Sequence, residues 1–169
     1  MDANELRAMQ APIKERYKSD AKAALITLKA KGSLDDQSIA CKVETGRALA
    51  VAGLHPATGG SGMELCSGDM LLEALVACAG VTLKAVSTAL AIPLKSGTVS
   101  AEGDLDFRGT LGVDKEAPVG FAEVRLRFDV DTDAPQEKLD LLLKLTERYC
   151  VVYQTIKNGP KVSVTMHRV

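Results

Sequence analysis

With 169 residues, 46% of them hydrophobic, the chain is long enough for one domain with a substantial core. Its 21 Lys and Arg against 22 Asp and Glu leave a formal net charge of −1, so no overall positive field exists to hold nucleic acid or an anionic membrane. The lack of Trp and an aromatic content of 4% also remove the stacking platforms on which bases are bound.

No N-terminal apolar run resembles a signal peptide, and a cytoplasmic location is expected on that ground. The four cysteines, Cys41, Cys66, Cys78 and Cys150, form no CxxC pair. His55 and His167 stand at no zinc-ligand spacing from them or from each other, which argues against a structural metal site. In a reducing compartment a permanent disulfide framework is also disfavoured. Burial for some of these thiols and redox chemistry for others remain.

Residues 1–20 read as a charged helical extension, with Leu6, Met9 and Ile13 on one side and Pro12 setting a kink or a late start. Residues 21–169 then read as a single domain. Ala24, Ile26 and Leu28 alternate in one run and Ile39, Cys41 and Val43 in the next, predicting two antiparallel strands with a turn around Lys31, Gly32, Ser33, Asp35 and Asp36. A further turn at Gly46 and Arg47 leads to a third strand over residues 48–54. Residues 55–68, rich in Gly, Ser, Thr and Pro, read as a loop containing Cys66.

The loop delivers the chain to a central helix over residues 68–90, with Ser67 as N-cap and Asp69 in the first turn, where the helix dipole favours a negative charge. From Met70 to Leu83 its only charge is Glu73 and apolar residues fall on every side, so the helix must be wrapped by other structure. This run of fourteen residues is read as too short to span a membrane. Ala74, Ala77, Ala79 and Gly80 surround Cys78 with small side chains and allow a backbone or a substrate close to its sulfur.

Residues 98–108 and 122–131 alternate cleanly, as antiparallel strands with one wet face. Asp133 as N-cap, Pro135 and Gln136 predict the start of a second long helix, along which Leu139, Leu143, Thr146, Cys150 and Tyr153 share one face. Asn158, Gly159 and Pro160 end it, and Val162, Val164 and Met166 alternate as a last strand. The predicted order is βββ-α-ββ-α-β, an α+β fold.

Free Cys is most often a small buried hydrophobe, the reading that Cys41 receives between Ile39 and Val43. A reactive thiol needs a nearby cation or a helix N-terminus, and Cys78 lies deep in its helix. Arg47 is the candidate cation, although a strand turn suits an ordinary surface Arg equally well.

The Gly-rich run Gly59, Gly60, Ser61, Gly62 followed by the segment from Gly68 to Cys78 (GDMLLEALVAC) resembles the signature of the OsmC/Ohr family, a helix of the form P-x-E-L-L-L-A-A-L-x-x-C. The segment from Tyr149 to Ile156 (YCVVYQTI) resembles the family's second motif, C-P-V-S-x-T-L. The resemblance implies an antiparallel sheet wrapped around two central helices in an intertwined homodimer, with active sites at the subunit interface. It also implies a peroxidase of organic hydroperoxides that needs no bound cofactor. Cys78 would attack the hydroperoxide, Cys150 would resolve the sulfenic acid as a disulfide, and an external thiol or dithiol would reduce it. Arg47 would stabilise the thiolate and Asp69 would hold Arg47, in the place of a family Glu. Asp69 keeps a second reading as a helix-dipole residue, because nine residues at roughly 100° each put it on the face opposite Cys78, about 13 Å along the helix. Val151 stands where the family commonly has Pro. The alternative function is a dimeric protein of the same fold that binds a small apolar ligand or senses redox state without efficient turnover.

Overall fold

A computed structural model describes residues 3–34, 41–43, 52–63 and 65–168. The chain opens with helix α1 (Ala3–Ser19), which begins well before Pro12 and runs through it. The expected late start does not occur. Tyr17, 1% exposed, anchors α1 in a small core with Ala24, Phe107 and Leu111. Burial of this ring offsets the one backbone donor lost at Pro12.

Strand β1 (Leu25–Leu34) pairs antiparallel with β2 (Cys41–Val43) on one side and with β5 (Ser96–Asp106) on the other. The turn expected at Lys31 to Ser33 is instead strand, with Lys31 opposite Ser100 and Gly32 opposite Val99. Partnership with β5 overrides the local turn signal. Strand β6 (Phe121–Asp131) completes a four-stranded antiparallel sheet in the order β2-β1-β5-β6. Of the expected third strand, residues 52 and 53 are seen as β3 (Ala52–Gly53), which pairs in parallel with β4 (Leu65–Cys66) outside the main sheet. The turn expected at Gly46 and Arg47 falls on residues outside those described.

The wet face of β5 and β6 carries an ionic ladder: the Arg125 guanidinium spans both oxygens of Asp104 at 2.6 and 2.9 Å and lies 3.4 to 3.5 Å from Glu123 and Glu102. On the opposite face Val99 and Ala101 are fully buried, and Val124, Leu126, Phe128 and Val130 pack against the core. Gly103 makes room for the ring of Phe121: a Cβ there would lie 2.5 Å from it, so the ring would have to shift.

Helix α2 (Ser67–Ala89) lies on this face, burying Leu72, Leu75, Val76, Ala79, Leu83 and Val86. Cys66, not Ser67, occupies its N-cap position, because Ser67 is already helical. At 23 residues α2 exceeds the expected apolar run and is long and apolar enough to cross a membrane by length and composition. In this fold its contacts go to β1, β5, α4 (Gln136–Tyr149) and α5 (Val151–Asn158), as a core helix. Between β5 and β6 comes the helical turn α3 (Phe107–Thr110), where Arg108 is clamped on Asp106. Asp133 does not cap the second helix: Pro135 holds that position, and the Asp133 carboxylate accepts from Lys95 at 2.8 Å.

The second long helix is two helices. Cys150, with φ −72° and ψ 106°, is the extended residue that ends α4 and starts α5. Residues 159–168 carry no strand, and Val162, Val164 and Met166 are 76%, 90% and 96% exposed. The expected last strand finds no partner among the described residues of its own chain.

Candidate active site

Two elements that are distant in sequence bring two thiols together. Cys78 sits in the middle of α2, half-buried, and Cys150 sits at the α4–α5 break, 1% exposed, in the same apolar core. The Cys78 thiol lies close enough to Cys150 to act on its proton equilibrium. Burial pushes the Cys150 thiol up to about 11, and the neighbouring Cys78 thiol adds to this, because both favour the neutral form. The backbone N–H of Tyr153, 3.4 Å from the Cys150 sulfur, pulls in the opposite direction. The same contact makes the sulfur the N-cap of α5, a task usually given to oxygen.

The remaining sequence candidates are placed as follows. Asp69 lies in the first turn of α2, and its charge is felt by His55 and Glu73. Nine residues of helix separate it from Cys78, so the two face opposite ways, about 13 Å apart along the axis. Burial raises the Asp69 carboxyl, and His55 opposes that rise. Burial likewise raises the Glu73 carboxyl, with Asp69 adding to it. Arg47 lies outside the described residues. Cys66 is half-buried and paired in β4, rather than in an exposed loop.

His55, read from the sequence as a loop residue, is built into the fold. Its ring stacks on Phe107 with centroids 4.9 Å apart, and its Nδ1 accepts from the N–H of Ala57 at 3.0 Å. A neutral His55 therefore carries its proton on Nε2. Burial lowers its pKa and the Asp69 charge works against that. Tyr17 locks the same loop by donating its hydroxyl to the carbonyl of Ala57 at 2.7 Å. Gly59, at φ 93°, ends the short 3₁₀ turn Pro56–Thr58, and the backbone of Gly60 lies so close to Leu54 that no side chain fits. No sequence signal marks Tyr17 for Ala57 or His55 for Phe107, since each of these partners is remote in the chain.

An apolar groove of about 840 Å³ includes in its wall Tyr153, whose N–H meets the Cys150 sulfur, although neither thiol lines it. Leu71 and Leu75 of α2, Phe121, Val124 and Phe128 of β6, and Tyr153 of α5 line it, with Glu147 and Lys157 also on its walls. Leu71 and Leu75 are seven and three residues before Cys78, hence on its side of α2. Among the described residues no cluster of His, Cys, Asp or Glu is arranged to hold a metal ion.

Comparison with known proteins agrees with this architecture. The structure resembles the crystal structure of an OsmC-like hydroperoxide resistance protein from Jannaschia sp. CCS1, with a TM-score of 0.58 and 14% identity over 86% of this chain and 93% of that one. No curated protein matches the chain. Residues 59–165, from the Gly-rich loop through α2 and the α4–α5 break where the thiols lie, match the family described as OsmC-like protein, and the chain belongs to that family.

Proposed function

We propose that the protein is a thiol-dependent peroxidase of organic hydroperoxides, with Cys78 as the nucleophile and Cys150 as the resolving thiol. The observation that carries this reading is the convergence of the two thiols, 72 residues apart in sequence, in one apolar core, close enough for Cys78 to raise the Cys150 pKa. The Cys78 thiolate attacks the O–O bond, leaving an alcohol and a sulfenic acid. Cys150 then attacks that sulfur, the S–S bond forms, and the oxygen leaves as water with the Cys150 proton. An external thiol or dithiol restores the pair, and no bound cofactor takes part.

Cys78 needs a cation to ionise in apolar surroundings, and Arg47 fills that role in this proposal, with Asp69 orienting it. Given the separation of Asp69 from Cys78 along α2, Arg47 and Asp69 complete the site only if the Arg47 loop folds back or a second copy of the chain supplies them. The face of α2 that holds Cys78 supports a homodimer: Leu71 and Val81 on it are 41% and 39% exposed. A twofold-related α2 packed there would cover them. The reading places the protein in the cytoplasm, where thiol reductants are abundant.

Steady-state assays with cumene hydroperoxide and hydrogen peroxide, on wild type and Cys78→Ser, test the proposal. The organic substrate is expected to react faster, with loss of turnover in the variant. Full activity in Cys78→Ser would remove the assigned nucleophile.

A further inference from the structure

Cys150 holds two positions at once. It is one half of the thiol pair, and its sulfur is the N-terminal cap of α5, accepting the N–H of Tyr153 at 3.4 Å. Helix α5 has eight residues, none of them fully buried. A helix this short is marginal by itself and depends on its end contacts and on packing. Val152, Tyr153 and Ile156 pack it on the core, and the Gln154 side chain ties it back to α4 by donating to the carbonyl of Glu147 at 2.7 Å.

A disulfide draws two non-bonded sulfurs to about 2.05 Å. Cys78 is fixed in the middle of a 23-residue helix, whereas Cys150 is the extended residue between two helices. The displacement therefore falls on Cys150, and its sulfur moves away from the Tyr153 N–H. We infer that the Cys78–Cys150 disulfide uncaps α5, so that the oxidation state of the thiol pair sets the order of this helix and of the groove wall formed by Tyr153, Thr155, Ile156 and Lys157. The two thiols lose two electrons and two protons in forming the bond. A hydroperoxide accepts them as alcohol and water, and a diazenedicarboxamide such as diamide accepts them as its hydrazine. The inference rests on the assigned thiol pair, but not on peroxide turnover.

Hydrogen exchange of the full-length protein, reduced and diamide-oxidised, tests it, with the disulfide verified by peptide mapping. Amides of residues 152–155 are expected to exchange about threefold faster in the oxidised protein, the scale of one lost helix cap. Cys78→Ser keeps the sulfur cap but cannot form the bond, so its α5 exchange should not respond to diamide. In Cys150→Ser a hydroxyl takes over the cap, and α5 should stay protected with or without oxidant. Unchanged exchange in the verified disulfide form overturns the inference, as does an equal response in Cys78→Ser or failure of diamide to link the two residues. Faster exchange in a protein that consumes no hydroperoxide would refute the peroxidase reading and leave this one standing.

Discussion

Cys150, at the break between α4 and α5, and Cys78, in the centre of α2, meet in one apolar core, close enough for Cys78 to raise the Cys150 pKa. This relationship assigns different chemistry to the two thiols. Cys78 is only partly buried, while Cys150 is sealed in the core and kept protonated. After one equivalent of cumene hydroperoxide, Cys150→Ser should accumulate a sulfenic acid on Cys78, trapped by dimedone and read by mass spectrometry. Wild type should yield the disulfide with little adduct. Adduct on Cys66 in place of Cys78 would reassign the nucleophile.

The raised pKa of Cys150 sets a pH window for stability. Its value in the fold, about 11, exceeds the ordinary thiol value of roughly 8.5. The folded protein thus holds this proton more tightly than the unfolded chain does. The resulting stabilisation is complete below the ordinary thiol range and is lost as pH rises toward 11. Urea unfolding midpoints of wild type should fall more steeply between pH 8.5 and 11 than those of Cys150→Ala. Parallel curves would show that the thiol is not held in its neutral form.

Tyr17 ties the N-terminal helix to the loop before α2. Tyr17→Phe keeps the ring buried but deprives the Ala57 carbonyl of its donor. The expected cost is about 1–2 kcal/mol, a fall in Tm of roughly 2–8 °C for a domain of this size. Thermal unfolding followed by circular dichroism reads it directly. A Tm equal to wild type would mean that water replaces the hydroxyl.

Asp106 and Arg108 predict a response at the acid end. The Arg108 guanidinium and backbone N–H hold the Asp106 carboxyl below its ordinary value, and burial only partly offsets this. A depressed carboxyl stabilises above its unfolded pKa, and that contribution disappears as pH falls through the folded value. Asp106→Asn should lower stability at pH 7 and flatten the loss below pH 4. An acid transition as steep as in wild type would assign it to other carboxylates.

Much of this architecture is legible in the sequence, and its failures have physical causes. The central helix and strands β5 and β6 were expected within a few residues of their observed bounds, because their apolar periods are unbroken. The break at Cys150 leaves no trace in the periodicity. The Cys150 N–H still bonds the carbonyl of Thr146, and the Gln154 N–H bonds that of Cys150, so the helical phase continues across one extended residue. Lys31 to Ser33 reads locally as a turn, but their pairing with Val99 and Ser100 and their neighbours keeps them extended. The alternation of Val162, Val164 and Met166 is genuine, yet among the described residues it meets no strand to pair with. Of the site, the thiol pair could be named only through the family resemblance. The setting of His55 against Phe107 and Asp69 depends on the assembled fold.

The vacancy at Gly103 has a consequence for how the sheet aligns. The Phe121 ring occupies the space that a Cβ would take, at the end of the β5–β6 pairing where the register shifts between Asp104 and Leu105. Sliding β6 by two residues in either direction would carry the ring from this notch onto the side chain of Ala101 or of Leu105. The ring and the notch work as a key that fits at one position along the strand. Through that key the ionic ladder on one face and the groove wall on the other are set by a single absent side chain.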